Sequence, residues 1–257
     1  MALAPLGAAA LLNAVVPAAA YVAGVDHARR QGRAWPARRT AALLAGLLVL
    51  GAATSGAADH RAQASLAWHM AQQMALLFLV PLLLLAGRPG ELSERRGRFV
   101  PSTGALGAAW LAIAGVQWIV HVPAVLDAVG RRPAALGAAH WALVAAGVAF
   151  FGCAFSALRS NRFHPLAMAL YVVSVMAGTD AIGLWLLLDP HVVYDRFAGA
   201  GALADQHLAG ALMFAAGMVP LLVGAGIALR WLAPAADPGL RDTRRKRAAV
   251  DGEPARG

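Results

Sequence analysis

The chain has 257 residues, 60% of them hydrophobic and only 14% charged, against roughly 25% charged residues in soluble globular proteins. That composition, with a mean hydropathy of +0.61, excludes a soluble globule and predicts an all-α integral membrane bundle. The formal net charge of +9 would raise nucleic acid as a partner, but the cations lie between apolar stretches and form no basic stripe interleaved with aromatics. Nucleic-acid binding is therefore excluded, and membrane lipid is the expected surrounding.

Seven spans are predicted in chain order, over residues 3–25, 40–58, 66–87, 104–126, 138–158, 166–188 and 206–231. Each approaches the ~20 residues that cross a hydrocarbon core. In the first, Arg29, Arg30, Arg33, Arg38 and Arg39 follow the apolar run instead of preceding it. That order predicts an uncleaved helix with its N-terminus outside. The same orientation puts 18 of the 22 basic residues in inner segments, as the positive-inside rule requires, and makes the C-terminus cytoplasmic. Residues 1–232 are thus expected to form the membrane domain, and 233–257 a basic, Pro- and Arg-rich disordered tail. The lone cysteine, Cys153, lies in the fifth span and reads as a small buried hydrophobe. No Gly-rich phosphate loop or soluble catalytic domain is visible, so the chain is not expected to be an enzyme.

Depth places six of the eight histidines toward the outer side: His60, His69, His121, His140, His191 and His207. Ionisable groups in a span are costly and tend to face the bundle interior, so imidazoles at one depth on several spans make a candidate binding site. The third span is the densest, with His69, Met70, Gln73 and Met74 in six residues. At i, i+4 spacing His69 and Gln73 share one face, and Met70 and Met74 the adjacent one. Imidazole with thioether suits copper, Cu(I) above all. The same residues can also be packing groups, the methionines filling gaps and His69 with Gln73 bonding neighbouring helices.

His121 is followed two residues later by Pro123, which predicts a kink or helix end beside the imidazole. His140 opens the fifth span across a short turn. The seventh opens with Asp205, Gln206 and His207; Asp205 reads as the N-cap of its own helix, and His207 as free to reach a ligand shared with the third span. Asp180, the one acid well inside a span, is expected to be functional or paired, with an outer histidine as the candidate partner.

The segments HMAQQMALLFLVPLLLLAGRP, WIVHVPAVLDAV, HWALVAAGVAFF and DQHLAGALMFAAGMVPLL resemble the CtaG-like cytochrome c oxidase assembly factor family, which is associated with caa-type oxidases. The resemblance covers about residues 58–222. It implies a polytopic protein of the bacterial inner membrane that assists terminal oxidase biogenesis, with oxidase subunits as partners and copper as the inferred cargo. The family's His-Met-x-x-His pattern falls on His69, Met70 and Gln73, so its second histidine is replaced here; its Asp-Gln-Gln-x-x-Gly pattern falls on Asp205, Gln206, His207 and Gly210, with a histidine gained.

The expected metal ligands are His69, His121, His140 and His207, with Met70 and Met74 as softer auxiliaries. Asp205, Gln73, Asp180 and His60 are expected as supporting groups. Two other readings use the same residues: a membrane haem protein in which two histidines ligate one iron, and a copper transporter, against which the apolar inner halves of the spans argue. A retinal protein is excluded because the only lysine, Lys246, lies in the tail.

Overall fold

The computed structural model describes residues 8–92, 99–160 and 162–233. The start of the first expected span, Arg95, Arg96 and Arg98, and the tail from residue 234 lie outside the described residues. Helices and short turns form the whole described chain, with no strand among the described residues. In order they are α1 (Ala8–Arg30), α2 (Ala37–Ala53), α3 (Gly56–Ala64), α4 (Leu66–Met74), a π-helical turn (Ala75–Leu79), α5 (Val80–Ala86), α6 (Thr103–Val120), α7 (Pro123–Gly130), α8 (Pro133–Arg159), α9 (Pro165–Ser174), α10 (Met176–Leu188) and α11 (Ala202–Leu232).

Among the described residues, five helical stretches are long and apolar enough to cross a membrane: Leu66–Glu91, Thr103–Val120, Pro133–Arg159, Pro165–Leu188 and Ala202–Leu232. A sixth results if α2 and α3, bent by 56°, count as one broken span. The described residues thus give five or six spans where seven were expected. The second expected span, 40–58, stops early for a local reason. Thr54 and Ser55 turn their hydroxyls back onto Leu50 O and Ala52 O, and Ser55 Oγ accepts Ala58 N–H to start α3 in a new direction. The fourth, 104–126, breaks at His121 and Val122, because Pro123 has no N–H to continue the ladder.

The stretch from α4 to α5 is the central helix, with 56% of its apolar window buried. Its α5 half packs on α2 and α8, while its α4 half packs on α11. The π turn between the halves has a cause. Pro81 leaves Leu77 O without its i+4 donor, and Val80 N–H reaches back five residues to Ala75 O. Gly147 on α8 fits against this spot, where a Cβ would lie 2.3 Å from Leu77 O and 2.5 Å from Pro81 Cγ.

Close approach also sets the seam of α11 against α9 and α10. Gly210, Gly217 and Gly224 recur every seven residues along it. Cβ atoms added there would meet Gly183 O at 2.5 Å, Asp180 Oδ1 at 2.1 Å and Val173 Cγ2 at 2.5 Å. Small residues at this spacing let backbones touch where no hydrophobic effect drives helices together.

Candidate functional site

His121 is the first residue after α6, and its ring is 3% exposed. Its Nδ1 lies 2.5 Å from Gln117 O. A carbonyl can only accept, so Nδ1 carries the proton and the neutral ring keeps a lone pair on Nε2. That Nε2 faces Met70 Sδ at 3.2 Å, and Met70 is fully buried on α4. A nitrogen and a sulfur lone pair thus confront each other at the centre of the bundle. Pro123 is what ends α6 there and lets the ring swing inward.

The loop from α10 to α11 closes over this pair. Tyr194 OH donates to His121 O at 2.9 Å, and burial pushes the phenol above its ordinary pKa, so it remains a donor. Gln206, 1% exposed, fastens the loop: Oε1 accepts Val193 N–H at 2.7 Å and Nε2 donates to His191 O at 2.9 Å. Phe197 lies against His69, ring centroids 6.2 Å apart.

His69 accepts from Gln73 Nε2 at 2.8 Å, so the shared face expected for these two residues is real and joins them directly. His69 also lies within electrostatic range of His121 and His140. Gln73 Oε1 has no hydrogen-bond partner among the described residues, and neither has Gln117 Oε1. Gln117, fully buried one turn before His121, donates its amide to Thr179 Oγ1 at 2.7 Å. Met74 is buried one turn beyond Met70. His140, 5% exposed on α8, turns toward Asp59 of α3, with Nε2 3.9 Å from Asp59 Oδ1.

Three expectations are corrected. Asp205 does not cap its own helix: Gly201 precedes α11, and the Asp205 carboxylate instead caps α4, accepting from Ser65 Oγ at 2.7 Å and from Leu66 N–H at 2.6 Å. His207, two residues on, points round the helix and gives Nε2 to Asp189 O at 3.2 Å, so the structure does not bring it to Met70 and His121. Asp180 meets no histidine; it lies against Gly217, and its Oδ1 has no hydrogen-bond partner among the described residues. His60 is exposed on α3 beside Asp59.

Sequence reasoning missed Asp59, Gln72, Gln117 and Tyr194. Gln117 carried a usable signal, a lone amide in an apolar span; Tyr194 in a loop carried none. No three His, Cys, Asp or Glu side chains converge at metal-binding distances among the described residues. The nitrogen–sulfur pair is thus a buried arrangement of two donors.

The sequence profile of the cytochrome c oxidase caa3 assembly factor family matches residues 19–234. The chain belongs to this family. The assembly-factor match extends over every residue of the site described above. Among relatives, an uncharacterised protein of Mycobacterium leprae (strain TN) is 37% identical over 83 residues, 32% of this chain and 13% of that protein. Uncharacterised proteins of Mycobacterium bovis and Mycobacterium tuberculosis are each 34% identical over 107 residues, 42% of this chain and 16% of theirs. The assembly-factor chain thus spans only a small part of these relatives' length. No solved structure matches it.

Proposed function

We propose that this assembly factor holds a Cu(I) ion between Met70 and His121 on the extracytoplasmic side of the inner membrane and passes it to a terminal oxidase subunit. The observation that carries the reading is the neutral His121 Nε2 facing Met70 Sδ at 3.2 Å. Two lone pairs with no proton between them repel unless a cation joins them, and a thioether with an imidazole selects soft Cu(I). The ion is cargo, so an incomplete donor set is an advantage: open positions let a client's ligands displace it, which a closed four-ligand cage would resist. His69 and Met74, on the same helix as Met70, would supply further donors during transfer, His69 once it leaves the Gln73 amide. The role is non-catalytic.

Full-length protein in lipid nanodiscs, titrated with Cu(I) against a chromophoric chelator, tests the site. Wild type should bind one Cu(I), and His121→Ala and Met70→Leu should each weaken it at least about tenfold. His207→Ala should bind as wild type does. Equal Cu(I) affinity in wild type and both site variants would end the reading. Client delivery is tested in cells: deleting the gene should leave the oxidase with haem but short of copper, and an oxidase with full copper content would refute delivery.

The orientation is supported by the 18 of 22 basic residues that fall on the opposite side from six of the eight histidines. A periplasm-dependent reporter inserted at Gly199 should be active. A cytoplasm-dependent reporter active at that position would reverse the topology and put the histidine end inside.

A further inference from the structure

We infer that Asp59 and His140 form a second cation site, of nitrogen and oxygen donors, which takes a divalent ion such as Zn2+ or Cu(II). His140 is 5% exposed, yet its Nε2 has no hydrogen-bond partner among the described residues. An imidazole nitrogen left bare in a buried position is costly unless something fills it. The atom it faces is Asp59 Oδ1 at 3.9 Å, too far for a hydrogen bond. With metal–nitrogen bonds of about 2.0–2.1 Å and metal–carboxylate bonds of about 2.0–2.2 Å at a tetrahedral angle, the two donors would stand about 3.4 Å apart, roughly half an ångström closer than they do here. An ion between the two atoms needs little movement of either helix.

The surroundings fit an ion as well. Gln72 is held in place by donating its amide to Ala53 O at 2.6 Å and to Asp59 Oδ1 at 2.7 Å. Its own Oε1, buried and without a hydrogen-bond partner among the described residues, is a further oxygen donor beside the carboxylate. Asp59, Gln72, Gln63 and His69 line one small cleft that borders the carboxylate side of the pair, and His140 stands behind it, buried. Arg196 lines the same cleft and is the one cation there, but its guanidinium is turned onto Gly130 O at 3.2 Å. The donor chemistry separates this site from Met70 and His121: carboxylate, amide and imidazole suit divalent ions, and thioether suits Cu(I). The inference does not rest on the Cu(I) reading.

The test uses the full-length protein in nanodiscs with Zn2+ as the probe, because Zn2+ is redox-silent. Calorimetric titration should show one saturable Zn2+ per chain. Asp59→Asn and His140→Gln should each weaken it at least about tenfold. Asp59→Glu, which keeps the carboxylate and controls for folding, should retain it. Met70→Leu should leave Zn2+ affinity unchanged while weakening Cu(I) binding at least about tenfold. Absence of saturable Zn2+ binding, or equal affinity in wild type, Asp59→Asn and His140→Gln, would overturn the second site. Cu(I) bound normally in that same preparation would leave the Met70–His121 reading standing.

Discussion

Gly210→Leu should prevent the bundle from closing. A Cβ at Gly210 would stand 2.5 Å from Gly183 O and 2.6 Å from Leu187 N, and these are backbone atoms that cannot rotate aside. α10 and α11 would have to separate, losing the contact that runs along their length and lifting Gln206 off the loop that carries Tyr194. Overpacking of this kind costs roughly 1–3 kcal/mol in a core that can adjust, and more where backbone meets backbone. The expected result is a protein that fails to accumulate in membranes or loses protease resistance in detergent. Gly226→Leu supplies the control on the same helix, because nothing lies within 4 Å of a Cβ there. It should fold normally, with a small gain from helix propensity. Equal accumulation of both variants would show that the glycine seam does not set the α10–α11 distance.

Asp205→Ala should be the most destabilising change among the ionisable residues. The carboxylate accepts from Ser65 Oγ, Leu66 N–H and, at 3.4 Å, Ala67 N–H. It therefore ties the start of the central helix to α11 across the bundle. Charge-assisted bonds contribute about 1.5–3 kcal/mol each, and N-terminal amides left open at a partly buried helix end lose much of that. A loss of about 3 kcal/mol is expected, read as a lower unfolding midpoint in detergent. Asp205→Asn keeps one acceptor and should lose about half as much. The Cu(I) affinity of the folded fraction should also fall, because α4 carries Met70. An unchanged midpoint in Asp205→Ala would mean the cross-helix cap contributes nothing.

Much of the architecture was legible in the apolar runs, since a bilayer allows only helices or closed barrels and the runs fixed where helices lie. Pro123 announced the break beside His121, and i, i+4 spacing joined His69 to Gln73. Asp205 shows where local rules failed. An acid near a helix start reads as that helix's cap, but the cap it provides serves α4, and only the packing of α11 on α4 reveals this. His207 failed for a related reason: two residues of helix turn it away from Asp205, toward Asp189 O. Asp59 was invisible because the span expected over 40–58 ended before it, and the bend at Thr54 and Ser55 that brings α3 back over the bundle is a matter of hydroxyl geometry. At Gln73, where the resemblance implies a second histidine, an amide instead donates to His69 Nε2 within α4.

The π turn at Ala75–Leu79 acts as a gear between the two halves of the central helix. One residue more than an α-helix needs is wound into that stretch, so the residues on either side are offset by about 100°, the angle of a single α-helical step. Below it, Pro81 must stay in register with Gly147; above it, Met70 must stay aimed at His121. Loss of one residue from this stretch would let the helix relax to regular winding and rotate Met70 out of line while leaving the α8 contact untouched. The geometry of Met70 against His121 is therefore encoded in a residue count as well as in residue identity. A volume-conserving swap such as Leu76→Met costs under about 1.5 kcal/mol in such a core, whereas a one-residue deletion in Ala75–Leu79 would misalign Met70 with His121 without altering either side chain.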